Sequence, residues 1–250
     1  MTERPVLWQF TASHFNEKVR WALDWKGIAY ERRSLLPGLH LPRVLLVSRQ
    51  RSVPVLVLDG TVTADSTRII ETLERRRPDP PLYPADVRDR DRALALEEFF
   101  DEELGPHIRR AVFHEILHDA DYVSALFTQD ASPLARRVYR AIFPGVRAVM
   151  KLDMRIDAGR AAASRAKVEA ALERIEREVG PSGHLVGDRF TVADLSAAAL
   201  FVPLVQPPEF PYAWPAPIPE PAARWRATLA PRRGFRWVEE TYRRYRRTAA

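Results

Sequence analysis

Predicted strands are confined to about the first eighty residues of this 250-residue sequence, and only helical patterns follow them. Short apolar runs bounded by Gly, Pro and Asp predict the strands, and apolar residues spaced three and four apart predict the helices. The predicted strands are 6–10, 30–35, 55–58 and 61–63, with helices at 16–26, 41–47 and 65–76. Asp59-Gly60 predicts a tight hairpin turn between the last two strands. The order β-α-β-α-β-β-α has the length of one small α/β domain.

A proline-rich connector at 78–85 ends this domain. The helical patterns beyond it lie at 88–118, 132–154, 159–179, 192–205 and 235–246. We therefore predict an α/β domain over 1–80 followed by an all-α domain over 87–250. The segment 206–221 (QPPEFPYAWPAPIPEP) has too many prolines to be helical throughout, so we expect it to form an extended strap on the surface.

The sequence contains no cysteine. This excludes structural disulfides, thiolate nucleophiles and cysteine-ligated metals in these residues, so any thiol chemistry must use a thiol that a substrate supplies. No run approaches the about 18 apolar residues that a membrane helix needs, and the first residues, MTERPVLWQF, lack the pattern of a secretory signal. We expect a cytoplasmic protein with no membrane partner.

Arginine supplies most of the positive charge of this basic chain, which has a formal net charge of +6 and a pI of about 9.9. A basic balance favours nucleic acids or acidic ligands as partners. Most arginines, however, alternate with acidic residues, as in RDRDRALALEEFFDEEL, which indicates a solvated helix surface. Only Arg243, Arg244, Arg246 and Arg247 form a cluster of one sign, and no recognition motif accompanies it, so we expect no nucleic-acid partner.

One helix start is marked clearly in the segment GDRFTVADL, residues 187–195. Thr191 is placed to cap the helix, and Asp194 can accept a hydrogen bond from the N–H of Thr191 in a capping box. Phe190 can pack onto Leu195 as a hydrophobic staple. We interpret this segment as purely structural.

Four segments, in this order and at these spacings, resemble the glutathione S-transferase superfamily: SHFNEKVRWAL, SVPVL, ADSTRIIETL and HLVGDRFTVADL. The resemblance is to soluble, serine-type, bacterial-like members, and it is least clear in 107–160 and in the strap. It implies a thioredoxin-like N-terminal domain that binds glutathione and an all-helical C-terminal domain that provides a pocket for a hydrophobic electrophile. It also implies a homodimer and a role in detoxification.

Ser13 lies where the first predicted strand turns into the first helix. A hydroxyl there can donate a hydrogen bond to a sulfur at the helix N-terminus, where the helix dipole and free N–H groups favour a thiolate. The alternative role is that of an ordinary helix cap. Because Ser13 aligns with the Ser or Cys that the resemblance makes catalytic, we predict that it is the catalytic residue.

Two neighbours of Ser13 depart from the pattern of the family. His14 stands where proline is usual, and Asn16 stands where many relatives have cysteine or another small residue. Asn16 can assist by donating a hydrogen bond to the ligand sulfur, or it can bond the backbone in the first helical turn. We favour the second role.

The resemblance assigns most of the glutathione site to two further motifs. Val53-Pro54 resembles the cis-proline turn of thioredoxin-like folds, which would let the backbone of Val53 pair with the tripeptide; a trans proline at a strand start is the alternative. Asp65 and Ser66 open a helix and would bind the γ-glutamyl amine and carboxylate, a role that can coexist with helix capping.

The glycyl carboxylate of glutathione would bind at the predicted second helix. His40 lies near the position that the resemblance indicates, and Arg43 is an equally good alternative.

Three histidines form a stripe that suggests a different kind of site. His114-Glu115-Ile116-Leu117-His118 matches the H-E-x-x-H zinc pattern, but the flanking sequence supplies no third ligand. His107 is two helical turns from His114, about 10 Å along the axis, which is too far for one metal. We expect a solvated or pocket-facing helix and no metal, with histidines that can touch a ligand.

The sequence therefore predicts an enzyme that activates the thiol of glutathione for attack on a hydrophobic electrophile, or that uses glutathione as the cofactor of an isomerisation. The absence of cysteine argues against the thiol-disulfide and dehydroascorbate branches of the superfamily. The alternative is a non-catalytic binding protein of the same fold, with a histidine-lined ligand, metal or porphyrin site.

Overall fold

The computed structural model describes residues 4–246, so Arg247 of the basic cluster lies outside the described residues. The N-terminal part contains four strands, β1 (Val6–Gln9), β2 (Glu31–Ser34), β3 (Val55–Leu58) and β4 (Thr61–Ala64), and three helices, α1 (His14–Trp25), α2 (Leu41–Ser48) and α3 (Ser66–Arg76). They follow the predicted order. The predicted boundaries are within about two residues of the observed ones.

The four strands form one mixed sheet in the order β2-β1-β3-β4. β1 pairs parallel with β2, and β3 pairs antiparallel with both β1 and β4. β2 has the sequence ERRS and three exposed residues, which suits an edge strand. The predicted hairpin turn joins β3 to β4, with Asp59 at φ 48° and Gly60 at φ 73°. Positive φ at both positions is typical of a type I′ turn.

Helices account for all the regular structure from residue 87 to the end of the described chain. They are α4 (Val87–Phe99), a π-helical segment (Phe100–Leu104), α5 (Gly105–Ile116), α6 (Ala120–Phe127), α7 (Pro133–Asp153), α8 (Ala158–Glu178), α9 (Val192–Val205), α10 (Glu220–Leu229) and α11 (Arg233–Tyr245). The predicted helix 88–118 is interrupted by the π-helical segment. The short helices α6 and α10 were not predicted, because helices of eight to ten residues hold few periods of an apolar pattern.

The core of the helical part surrounds α9, which is buried along almost its whole length. It begins with the predicted capping box between Thr191 and Asp194. Asp194 accepts hydrogen bonds from the N–H of Thr191 at 2.9 Å, from its hydroxyl at 3.0 Å and from the N–H of Leu185 at 2.8 Å. Phe190 packs its ring against Trp25 and Tyr245. No helix within residues 4–246 is both long and apolar enough to cross a bilayer.

The proline-rich strap contains no helix before residue 220, where α10 begins. Its aromatic residues Phe210 and Tyr212 are buried, so the strap packs onto the molecule rather than projecting from it. The basic C-terminal cluster is also partly buried. Arg246 forms ion pairs with Glu17 at 2.6 Å and Asp24 at 2.8 Å, both on α1. This end of the chain therefore fastens α11 to the N-terminal part.

Candidate active site

A cavity of about 480 Å³ lies between the two parts of the molecule. The N-terminal part contributes the loop between β1 and α1, residues before and at the start of α2, and the segment 51–53. The helical part contributes side chains of α5, α6 and α7, the end of α9, and Trp214 of the strap. Most of the lining is apolar, with Ser13, Arg51, Arg109 and Asp153 among its polar side chains, so the cavity suits a ligand of mixed character.

Ser13 lies at the floor of this cavity, half-buried at the N-terminus of α1. It is the N-cap residue, and its hydroxyl oxygen accepts a hydrogen bond from the N–H of Asn16 at 3.4 Å. The hydroxyl hydrogen is not used in that bond and can be donated to a ligand. The capping role and the predicted donor role are therefore compatible in one conformation.

Arg20, which is fully buried, stabilises the loop that carries Ser13. Its guanidinium donates to the carbonyls of Phe10 and Thr11, both at 3.3 Å, and to that of Ser13 at 3.5 Å. It also pairs with Glu17 at 2.8 Å. Arg20 was not among the residues predicted from the sequence, because one arginine on an amphipathic helix resembles the others until its partners are known.

His14 is buried and points its Nε2 at the carbonyl of Gly105, 3.0 Å away. A carbonyl can only accept, so Nε2 carries the proton and Nδ1 is the unprotonated nitrogen. Burial, followed by the charge of Arg109, lowers the pKa of His14 to about 3. The ring that replaces the usual proline of the family is therefore neutral and joins the β1–α1 loop to α5.

The side chain of Asn16 is fully buried, and neither its amide nitrogen nor its oxygen has a hydrogen-bond partner within residues 4–246. The backbone bond that we favoured from the sequence is therefore absent. Asn16 does not line the cavity, and its assisting role stays a prediction.

The turn at Val53-Pro54 has the expected cis peptide bond, and Val53 lines the cavity on the side of the sheet. Asp65 caps α3 by accepting hydrogen bonds from the N–H groups of Thr67 at 3.0 Å and Arg68 at 3.1 Å. Ser66 is buried beside it. Asp65 and Ser66 lie outside the cavity lining, so a ligand that contacts them and Ser13 would extend beyond the cavity along the sheet edge.

His40 lines the cavity, whereas Arg43, its alternative, is exposed and does not. The Nε2 of His40 lies 3.1 Å from the carbonyl of Arg51, and its ring packs edge-on against Phe10. Burial lowers the pKa of His40 from its usual value. Arg51 also lines the cavity and was not identified from the sequence.

The histidine stripe does not face the cavity, which corrects our expectation that these histidines touch a ligand there. His107 lies 3.1 Å from the hydroxyl of Ser164, and His114 pairs with Glu115 at 2.5 Å. His118 also lies outside the lining. In the described part of the chain, no group of three or more His, Cys, Asp or Glu side chains is arranged to hold a metal.

The helix that carries the stripe does border the cavity, but with its opposite face. Arg109, Val112, Phe113 and Ile116 of α5 point into the cavity. Their spacing of three, one and three residues is that of one helical face, a signal that the sequence contains and that we did not use.

Comparison with known protein families gives two matches. Residues 7–81 match the glutathione S-transferase N-terminal domain, and residues 157–230 match the glutathione S-transferase C-terminal domain. The segment between the two matches includes α6 and α7, so part of the cavity wall belongs to neither matched segment.

Individual curated proteins are also similar to part of the chain. A probable maleylacetoacetate isomerase of Caenorhabditis elegans is 35% identical over 96 residues, which is 38% of this chain and 45% of that protein. Glutathione S-transferase 1 of Dianthus caryophyllus is 39% identical over 92 residues, 36% of this chain and 42% of that protein. The chain therefore matches each of these two relatives over less than half of that relative's length.

Solved structures match over nearly the whole chain. A glutathione S-transferase of Rhodospirillum rubrum has a TM-score of 0.60 at 23% identity, covering 94% of this chain and 91% of that one. A glutathione S-transferase of Methylobacterium radiotolerans, solved in complex with glutathione sulfonate, has a TM-score of 0.56 at 25% identity, covering 94% and 93%. The fold is therefore a thioredoxin-like domain followed by an all-helical domain.

Proposed function

We propose that this chain, which belongs to the glutathione S-transferase superfamily, is an enzyme that activates the thiol of glutathione for attack on a hydrophobic electrophile. The observation that carries the proposal is the position of Ser13, whose hydroxyl lies at the N-terminus of α1 and lines an apolar cavity shared by both parts of the molecule. The fold alone would not give this function, because one fold serves many activities.

The proposed chemistry is stabilisation of a borrowed thiolate. A free thiol has a pKa of about 8.5 and is mostly protonated at neutral pH. The N-terminus of α1 and a hydrogen bond from the Ser13 hydroxyl both favour the anion. The thiolate sulfur then forms a bond to an electrophilic carbon, and a leaving group departs with the electron pair or a proton is added to the product. No bond to the enzyme is needed.

The remaining glutathione contacts follow from the family motifs and from the placement of the side chains. We propose that the backbone of Val53 pairs with the tripeptide, that Asp65 and Ser66 bind its γ-glutamyl end, and that His40 lies against its glycyl end. Burial lowers the pKa of His40, and its neutral ring donates from Nε2 to the carbonyl of Arg51, so it would orient the segment 51–53. The charge complementary to the glycyl carboxylate would come from Arg51.

A second activity uses the same thiolate without consuming it. Several relatives are named maleylacetoacetate or maleylpyruvate isomerases. An isomerisation in which glutathione adds to a substrate and is then released needs the same Ser13 environment. The presence of the Ser13 hydroxyl in the cavity lining favours a transferase or an isomerase over the non-catalytic binding protein considered above.

The assembly and the location also remain proposals. We propose a homodimer, as the family implies, and note that α7 exposes five apolar side chains at helical spacings, namely Leu134, Val138, Ile142, Val149 and Leu152. Light scattering on the purified chain measures the mass and would give a monomer if this is wrong. The cytoplasmic location stays a prediction from the sequence.

The test compares the activities of variants at two serines that each cap the N-terminus of a helix. Ser13→Ala removes the proposed donor, whereas Ser132→Ala removes a similar N-cap from α7, away from the cavity lining. We expect the wild type to bind glutathione resin and to conjugate chloro-dinitrobenzene. Ser13→Ala should lower kcat/KM by about 10- to 100-fold, the effect of losing a hydrogen bond to a charged group, while Ser132→Ala should not.

Two results would contradict the proposal. Failure of the wild type to bind glutathione would exclude the thiol site, and equal activity of the two variants would exclude Ser13 as the catalytic residue. Binding without turnover of any electrophile would instead support the non-catalytic alternative.

A further inference from the structure

Arg109 is a cation in the apolar part of the cavity. It lies on α5, on the same face as Val112, Phe113 and Ile116, and all four side chains line the cavity. Its Nε is buried and has no hydrogen-bond partner within residues 4–246, and none of the ion pairs in that part of the chain includes it. A buried polar atom without a partner costs free energy, so the Nε of Arg109 calls for an explanation.

The next residue shows what a structural arginine looks like on the same helix. Arg110 donates from Nε to the carbonyl of Met154 at 2.9 Å and from a terminal nitrogen to the hydroxyl of Ser164 at 3.0 Å. Arg109 makes no comparable contact with the protein. The difference indicates that the partner of Arg109 is not part of the chain.

The charges that face the cavity compensate Arg109 only in part. Burial lowers the pKa of Arg109, and Asp153, exposed at the end of α7, opposes this shift without forming an ion pair with it. Arg51 adds a second positive charge to the lining. His14 and His40 have lowered pKa values and are neutral. The lining thus carries two cations and one anion, a surplus of positive charge in apolar surroundings.

We propose that Arg109 binds a carboxylate carried by the otherwise apolar co-substrate. The proposal rests on the proposed function and narrows it: the electrophile is an apolar organic acid. A guanidinium presents a planar fork of donors that matches a carboxylate. Val112, Phe113 and Ile116 supply the apolar contacts, and Ser13 in the same cavity places the thiolate against the reactive carbon.

The carboxylates of glutathione are the other possible partners of Arg109. The residues proposed for the two ends of glutathione, His40 on one side and Asp65 with Ser66 on the other, belong to the N-terminal part of the chain. Arg109 belongs to the helical part, on the wall proposed for the electrophile. A test with glutathione present therefore separates the two sources of carboxylate.

The first experiment measures binding and does not depend on turnover. Naphthoate and naphthamide have the same apolar shape and differ in charge, and each is titrated into the full chain by calorimetry with saturating glutathione. We expect the wild type to bind naphthoate at least about 10-fold more tightly than naphthamide, and Arg109→Gln to abolish this preference. Arg109→Lys should retain part of it. Arg137→Gln, which removes an exposed charge of α7 outside this cavity, should retain all of it.

The second experiment uses the reaction. Chloro-dinitrobenzoate and its methyl ester are compared as electrophiles, each enzymatic rate being divided by the rate with glutathione alone. We expect a preference for the acid that falls about 10-fold or more in Arg109→Gln. Consumption of both compounds without a preference would overturn this inference and leave the proposed function standing. No consumption of either would count against the proposed function, while the binding experiment would still decide on Arg109.

The proposal is overturned if the wild type shows no preference for naphthoate, or if the preference survives in Arg109→Gln. The wild-type comparison needs no variant, so it holds even if Arg109→Gln fails to fold. Loss of the preference in Arg137→Gln as well would also overturn it, because the effect would then be one of net charge.

Discussion

Gly105 is the position at which a single methyl group should disturb the candidate active site most directly. It opens α5, and its carbonyl accepts the hydrogen bond of His14. A Cβ added to Gly105 would overlap Cζ of Phe15 and lie 3.0 Å from one of its Cε atoms. Phe15 follows Ser13 closely in the chain and lines the cavity. Gly105→Ala therefore presses on the β1–α1 loop from the side of α5.

The size of the effect follows from the required movement. The ring of Phe15 has to retreat by about 1 Å to restore an ordinary contact, and its half-buried position allows it to move into the cavity. Overpacking of this kind costs about 1–3 kcal/mol, and replacing a helical glycine by alanine returns up to about 1 kcal/mol. The net loss of stability is therefore about 0–3 kcal/mol. Displacement of a site by about 1 Å can lower a rate by about 100-fold, so activity should suffer more than stability.

Urea unfolding and the kinetics of glutathione conjugation measure the two effects. Gly145→Ala is the matched control, because Gly145 is also helical and a Cβ there has no neighbour within 4 Å. Phe15→Leu removes the ring atoms that clash with the new Cβ, so the double variant tests the mechanism. We expect kcat/KM to fall about 10-fold or more in Gly105→Ala and the effect of Gly105→Ala to be much smaller in the Phe15→Leu background.

Two outcomes would contradict this prediction for Gly105→Ala. If Gly105→Ala behaves like Gly145→Ala in both assays, the contact with Phe15 does not constrain the loop. If Gly105→Ala lowers the activity equally with Phe or Leu at position 15, the loss has another cause, such as displacement of the Gly105 carbonyl from His14.

Two further predictions concern stability and are measured by urea unfolding. A Cβ on Gly234 would lie 2.8 Å from the backbone oxygen of Leu172, which cannot rotate away. Gly234→Ala should therefore lower the free energy of unfolding by about 1–2 kcal/mol, whereas Gly145→Ala should raise it by about 0.5–1 kcal/mol. Equal stabilities of the two variants would contradict the close approach of α11 to α8. Burial raises the pKa of Asp194 to about 6, although the hydrogen bonds that the carboxylate accepts lower its pKa. The folded state then binds more protons than the unfolded state between about pH 4 and 6, so this carboxyl contributes less stability as the pH rises. The stability advantage of the wild type over Asp194→Asn should therefore shrink by about 3 kcal/mol from pH 4 to 7, and an advantage that grows with pH would show that the three hydrogen bonds outweigh burial.

Local signals in the sequence were sufficient where the structure is decided locally. Asp59-Gly60 predicted the hairpin because few other residues tolerate positive φ at both positions. Thr191 and Asp194 predicted the start of α9 because both partners of a capping box lie within one turn. Ser13 was identified as the end of a turn before a helix, which is also where the structure places it.

Properties that depend on distant partners were not predictable in this way. The periodicity of 88–118 indicates a helix with one apolar face, but it does not say that an arginine on that face lines a cavity. We attended to His107 and His114, whereas Arg109 on the opposite face lines the cavity. Ser164, the partner of His107, and Arg165, the partner of Glu115, are on α8, about fifty residues away in the chain. No local pattern carries that information.

The strap shows how far this dependence on distant residues extends into the candidate active site. Arg20 donates hydrogen bonds to the carbonyls of the loop that carries Ser13. The ring centroids of Phe210 and Tyr212 lie 5.4 Å and 5.2 Å from its guanidinium carbon. Tyr212 also accepts a hydrogen bond from Gln9 at the end of β1. Aromatic faces stabilise a guanidinium and exclude water from its hydrogen bonds. The prolines of the strap keep it from forming a helix, and it can therefore follow the surface and place these rings where the loop needs them. The geometry of Ser13 is thus set by a segment about two hundred residues later, which is the physical reason that the motif around Ser13 alone does not define the site.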